Sequence, residues 1–287
     1  MKKIKILIIT IILISLTGCL KKNSMEDIKI VTSSYPIEYV VNELYGEHSE
    51  ITSIYPKDDE TINFEVTDVL LEQYSNNDMF IFNGLTKEKE YLNNISKNNK
   101  NLMIIDVTGK NIKNDTIAST EELWLNPNNL LTIANNIRKG FKEYIDSTYL
   151  INEIDSNYEN LKIELTSLDG KYFSTGKNAT NNIIIVSDDA FLFLKKYGIN
   201  VISIDPDTAK DKDIAEAKRM LNNGTCKYVF IKYLEDDETI NNFLNETSAP
   251  SIELYTMTNL KGLTINKNTY ITLMNQNLEN LKLELYK

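Results

Sequence analysis

Histidine, cysteine and arginine are nearly missing from this chain. Its 287 residues hold one histidine, His48, two cysteines, Cys19 and Cys226, and two arginines, Arg138 and Arg219. So few thiols exclude a disulfide framework, and Cys226, between the turn "NNGT" and the strand-like "KYVFI", reads as a buried small residue. One imidazole leaves no histidine cluster for a metal and no base for a hydrolytic triad. Positive charge is short as well: 31 basic against 41 acidic residues give a formal −10. That excludes a nucleic-acid partner, whose phosphates require a basic face. There is no P-loop, no Gly-rich dinucleotide turn and no serine elbow. Paired carboxylates leave glycosidase chemistry as the one enzyme alternative, and a non-enzyme is expected.

What is present begins at the front. "MKKIKILIITIILISLTGC" has Lys2, Lys3 and Lys5, an apolar stretch from Ile6 to Leu16 and small residues before Cys19. This is the pattern of a cleaved secretory signal. The stretch is too short for a stable span, which needs about 20 apolar residues. Leu16-Thr17-Gly18-Cys19 looks like a bacterial lipobox, in which cleavage precedes the cysteine and its thiol is diacylated. Cys19 is therefore the expected lipidation site, holding the chain at the outer face of the membrane. Cleavage also removes three lysines, so the mature chain is more acidic still.

Beyond the polar leash 19–26, strand-like and helix-like segments alternate. Strands are expected at 28–33, 51–56, 78–84 and 101–107, with helices near 36–45, 67–76 and 86–96. The rhythm repeats with strands at 181–187, 200–205, 227–232 and 251–255 and helices near 189–197, 211–222, 236–246 and 269–286. Strands separated by helix-length segments imply parallel sheets with right-handed crossovers. The stretch 128–172 carries helical apolar faces, Leu130, Ile133, Ile137, Phe141 and Ile145, then Leu150, Ile154, Tyr158, Leu161 and Leu165. The expected fold class is α/β, two lobes each with a mostly parallel sheet flanked by helices, joined by a long backbone helix. The expected boundaries are 1–18 signal peptide, 19–26 tether, 27–127 N-terminal lobe, 128–172 helical segment and 173–287 C-terminal lobe.

Ligands of parallel α/β sheets bind beyond the carboxyl ends of the strands, so four segments were candidates for the cleft. "DDETINFEVTD" follows the second strand; Glu65 is a cleft candidate there, while Thr67 and Asp68 form a helix start with a hydroxyl cap and an acidic first turn. "STEELWLNPNN" offers Glu121 and Glu122 beside the sole tryptophan, Trp124, which reads as a core anchor. "SDDAF" sets Asp188 and Asp189 where a strand becomes a helix, one of them an N-cap. "IELYTMTN" places Glu253 and Tyr255 on one face of a strand.

These segments carry a resemblance. "IVTSSYPIEYVVNELYGEHSEITSIYP", "NFEVTDVLLEQYSNNDMFIFNGL", "LWLNPNNLLTIANNI", "SDDAFLFLKKYGI" and "TYITLMNQNLENLKLEL" together resemble the zinc- and manganese-binding lipoproteins of ABC importers, the cluster A-I substrate-binding proteins, over nearly all of the mature chain. The resemblance implies a lipid-anchored, extracytoplasmic receptor that is expected to be a monomer and delivers its cargo to an ABC permease in the membrane. It places the family's four metal-ligand positions on Ile62, Glu122, Asp188 and Tyr255. No imidazole remains among them, and His48 lies in the turn "GEHSE", away from all four loops. Zinc needs about four N, S or O donors in tetrahedral array. What is left is an oxygen-only set, Glu122 and Asp188 with Glu65, Asp189 or Glu253, which favours Mn²⁺, Ca²⁺ or Mg²⁺. By resemblance the expected cofactor is a divalent ion, manganese or zinc, at a degenerate site. The alternative is a surface adhesin or interaction protein on the same scaffold without metal.

Overall fold

The structure is a computed structural model, and it describes residues 25–56, 64–84, 88–108, 120–264 and 269–287. The signal, Cys19 and Ile62 lie outside the described residues.

The N-terminal half runs β1 (Ile28–Thr32), α1 (Tyr35–Tyr45), β2 (Ser49–Ser53), α2 (Asp68–Ser75), β3 (Met79–Phe82), α3 (Glu88–Asn98) and β4 (Met103–Asp106). A short helix α4 (Glu122–Leu125) leads into α5 (Pro127–Tyr144) and the 30-residue α6 (Thr148–Lys177). The C-terminal half runs β5 (Ile183–Val186), a 3₁₀ segment (Asp189–Tyr197), β6 (Asn200–Ser203), α7 (Asp211–Asn222), β7 (Val229–Lys232), α8 (Glu238–Thr247), β8 (Ser251–Leu254) and α9 (Tyr270–Leu285). Both sheets are four-stranded and parallel, in the orders β2-β1-β3-β4 and β6-β5-β7-β8. The two halves are thus built on one plan.

Period-2 alternation explains how each sheet is covered on both sides. Ile30, Met79 and Ile105 face one way and join a core cluster that continues through α1, α5, α6 and α9 to Ile184, Val186 and Phe230 of the second sheet. The opposite faces, Val31, Phe80 and Phe82 in one half and Ile185 and Val229 in the other, are covered by separate, smaller clusters. One core therefore runs through both lobes. Domain closure by a free hinge would tear it.

α6 is the spine. Leu150, Ile154, Tyr158, Leu161 and Leu165, the face expected from spacing, are all buried, and 30 residues at about 1.5 Å each span roughly 45 Å. Asn157 Nδ2 donates to Leu44 O at 3.2 Å on the first lobe, and the Tyr172 hydroxyl donates to Met274 O at 2.9 Å on the second. Near its end Gly176 touches the 3₁₀ segment: a Cβ there would lie 2.0 Å from Tyr197 O, so only glycine permits the approach. The spine is separate from α5. The chain leaves helical geometry at Ile145, and Ser147 caps the restart by accepting from Leu150 N.

Two local expectations turned out differently in detail. The helix expected near 189–197 is a 3₁₀ segment, begun by Asp188 as N-cap and ended by Gly198 at φ +78°. The linking helix runs five residues beyond 172.

Candidate functional site

Open parallel sheets bind at the switch point, where the loops after two neighbouring strands leave in opposite directions. The observed orders put these points between β1 and β3 in the first lobe and between β5 and β7 in the second. The second is where charge collects. β5 is followed by Ser187 and Asp188, and β7 ends in Lys232, followed by Glu235 in the next turn.

Lys232 Nζ donates to Asp188 Oδ2 at 2.6 Å and lies 3.5 Å from Glu235 Oε1. The other Asp188 oxygen accepts from Ala190 N at 2.7 Å, which caps the 3₁₀ segment. Glu235, whose side chain is 6% exposed, accepts from the Ser187 hydroxyl and, at 3.1 Å, from Lys232 N. The lysine is held at both its backbone and its tip. Burial works against its charge, but the hydrogen bond and charge of Asp188, joined by Glu235 and Glu121, prevail and raise its pKa above the ordinary 10.5. The α4 segment, from the other half of the chain, packs against the 3₁₀ segment that Asp188 caps.

Trp124 anchors that segment. Its Nε1 donates to Thr256 O at 2.8 Å, and its carbonyl accepts from the buried Tyr270 hydroxyl. Trp124 thus ties the α4 segment, which includes Glu122, to the backbone beside Tyr255. Tyr255 is tied down by Asn277, which accepts from its N–H at 2.7 Å and donates to its carbonyl at 2.8 Å, and its ring lies 4.8 Å from that of Tyr233. Burial, then Tyr233 and Glu253, raise its phenol pKa, which makes a phenolate ligand less available still.

The other candidates are engaged elsewhere. Asp189 accepts from the Thr208 hydroxyl at 2.8 Å, and its N–H donates to Asp205, so it shapes the loop after β6. Glu253 is exposed and accepts from Leu234 N at 3.1 Å, steadying a turn in which Leu234 has φ +58°. Glu65 is exposed in the segment before α2, where Thr67 caps the helix as expected, accepting from Leu70 N, and Phe64 packs edge-on to Tyr55. Cys226 is free and buried, and burial pushes its thiol up to about 11. His48 pairs with Glu153 of α6 at 3.1 Å, at the start of β2 and so at the end of the sheet opposite the strand tips. Sequence reasoning passed over Lys232 and Glu235, because it searched the tips of β2, β4, β5 and β8. The signal was a lysine closing the strand "KYVFIK" ahead of "YLEDDE", and only the strand order singles that tip out.

One buried carboxyl in the first lobe gives a pH test. Glu88 opens α3, is 5% exposed, and is pushed up to about 7 by burial, against the pull of its own backbone N–H and the Tyr55 hydroxyl. Between about pH 4.5 and 7 the native state keeps a proton that the unfolded chain has released, so this group favours folding most below pH 4.5. Its contribution, about 3 kcal/mol, is lost as pH rises to 7. Glu88→Gln is expected to flatten that slope in denaturation curves taken from pH 4.5 to 7.5.

Fold and strand order together define a two-lobed α/β protein with one continuous core. The chain belongs to the family described as zinc-uptake complex component A, periplasmic, whose family model matches residues 30–283. None of the curated proteins matches it in sequence. Among solved structures it is similar to the Zn(II)-bound ZnuA-like domain of AdcA from Streptococcus pneumoniae, with a TM-score of 0.74 and 18% identity over 91% of this chain and 100% of that one. The metal-dependent lipoprotein YcdH from Bacillus subtilis gives 0.72 and 19% over 91% and 100%. The laminin-binding protein Lmb of Streptococcus agalactiae, described as bifunctional with adhesin and metal transporting activity, gives 0.74 and 18% over 90% and 99%. At these identities the likeness is one of fold.

The residues do not fit zinc held by nitrogen and carboxylate donors. Among the described residues no three His, Cys, Asp or Glu side chains gather as a metal-holding group, and both oxygens of Asp188 are already engaged. No described helix is long and apolar enough to cross a membrane.

Proposed function

We propose that this protein is the extracytoplasmic solute-binding receptor of an ABC importer, cleaved after residue 18, anchored by lipid on Cys19, tethered through 19–26, and working as a monomer. The observation that carries this reading is the pair of like-ordered parallel sheets on one helical spine, within a chain matched by the family over residues 30–283. Cargo would enter between residues 27–127 and 173–287, meeting Glu122 and Asp188 at the seam with the Lys232 group. The Zn(II)-bound relative supports a cationic cargo. Without nitrogen donors, the carboxylates of the seam do not support zinc in the family's usual manner.

Affinity capture from detergent-solubilised membranes is the direct test. A receptor brings down an integral permease with its ATPase, and Cys19→Ala moves the protein from the membrane pellet to the medium. Capture of no transporter, with Cys19→Ala still membrane-bound, would overturn the proposal. The lack of nitrogen donors favours a second reading, a surface interaction protein on the same scaffold. It predicts that deletion leaves uptake of manganese and zinc unchanged while adhesion falls.

A further inference from the structure

At the switch point between β5 and β7 the ammonium of Lys232 stands beside Asp188 and Glu235. We propose that Lys232 is a specificity-determining residue: its ammonium group takes the place between Asp188 and Glu235 that would admit a divalent ion, and so excludes bare divalent metals from the receptor. The inference rests on reading the cleft as the cargo site.

The geometry carries it. A divalent ion bound through oxygen sits about 2.0–2.6 Å from its ligand atoms. Lys232 Nζ is 2.6 Å from Asp188 Oδ2 and 3.5 Å from Glu235 Oε1, so an ion bridging these two oxygens would fall within the volume of the ammonium. The backbone of Lys232 is fixed by its bond to Glu235 and by pairing with β8, and its tip is held by Asp188 and Glu235. A metal would have to expel a paired, two-thirds-buried cation and leave it facing a 2+ charge across a few ångström, where repulsion in a low-dielectric cleft is strong.

Removing the ammonium should free Asp188 Oδ2 and Glu235 Oε1, two carboxylate oxygens of the kind to which a hydrated hard cation binds. The full-length protein, purified in detergent and stripped with chelator, would be titrated calorimetrically with Mn²⁺, Ca²⁺ and Zn²⁺, and its melting temperature followed with each ion. Wild type and Lys232→Arg are expected to show no saturable binding and no melting shift. Lys232→Met is expected to bind one Mn²⁺ at least about tenfold more tightly than wild type and to melt higher in its presence. Lys232→Met combined with Asp188→Asn should lose that gain. Should Lys232→Met lack the native circular dichroism spectrum, Lys232→Gln, which keeps the polar tip, takes its place. The proposal is overturned if wild type binds Mn²⁺ as tightly as the neutral variant, or if a folded neutral variant gains nothing. Either failure concerns the isolated protein and leaves the permease-capture result standing on its own.

Discussion

Trp124→Ala is expected to lower the unfolding free energy by about 3–5 kcal/mol, the cost of removing a large aromatic from a well-packed core. Trp124 is 4% exposed, donates to Thr256 O and presents its own carbonyl to Tyr270, whose ring in turn stacks 5.5 Å from that of Tyr39. One side chain from the first half of the chain is therefore embedded in the second, and its loss leaves a buried carbonyl without a donor as well as a void. Trp124→Phe separates the two effects. It keeps most of the volume and drops the Nε1 bond, so it should cost about 1–3 kcal/mol. Because Trp124 is the only tryptophan, the measurement is urea unfolding followed by far-UV circular dichroism. A lower midpoint with unchanged m-value is the expected form. A midpoint within experimental scatter of wild type for Trp124→Ala would show that α4 does not pin the lobes together.

The second large effect is at the opposite end of the C-terminal sheet. Glu284 of α9 has no exposed surface, yet it accepts from Lys227 N at 2.8 Å, Tyr228 N at 3.0 Å and Asn181 Nδ2 at 2.9 Å, and it is paired with Lys287 Nζ at 2.5 Å. This carboxylate closes the entry to β7 and fastens the last helix to the sheet. Glu284→Ala would strand three donors and a buried-facing ammonium, and is expected to cost about 3–5 kcal/mol. Glu284→Gln keeps one acceptor oxygen but turns an amide toward backbone N–H groups, so an intermediate loss is expected. Lys287→Ala, removing a partner that is partly in solvent, should cost under about 1 kcal/mol. Equal loss for Glu284→Ala and Lys287→Ala would mean that the ion pair, and not the three hydrogen bonds, holds the helix.

Much of the architecture could be read along the chain because it is carried by local rules. The spacing Leu150, Ile154, Tyr158, Leu161 and Leu165 can bury itself only as a helix, and all five are buried. Thr67 ahead of Asp68 could start a helix and does. The runs "IIIV" and "MFIF" are apolar on both faces, as central parallel strands must be when layers cover both sides. That one of Asp188 and Asp189 is a cap was likewise visible, since capping needs only the residues that follow, and the cap is Asp188.

The candidate site was less legible. Asp188 and Lys232 lie 44 positions apart, and no pattern in either neighbourhood records that their side chains meet. The same holds for Asp189, a plausible cleft carboxylate in sequence that serves Thr208 in the fold, and for Glu253, spent on the turn at Leu234.

By itself the sequence determined the two alternating α/β halves, the helical spine, the lack of nitrogen donors and the acidic character of what remained, all of which follow from residue type and short-range spacing. Only the tertiary structure decided that β1 and β5 stand inside their sheets with later strands beside them, and hence that Lys232 is the residue brought to Asp188. The reason is physical: strand order and side-chain pairing depend on which crossovers bury the most apolar surface across the whole chain, a sum to which no short segment holds the answer.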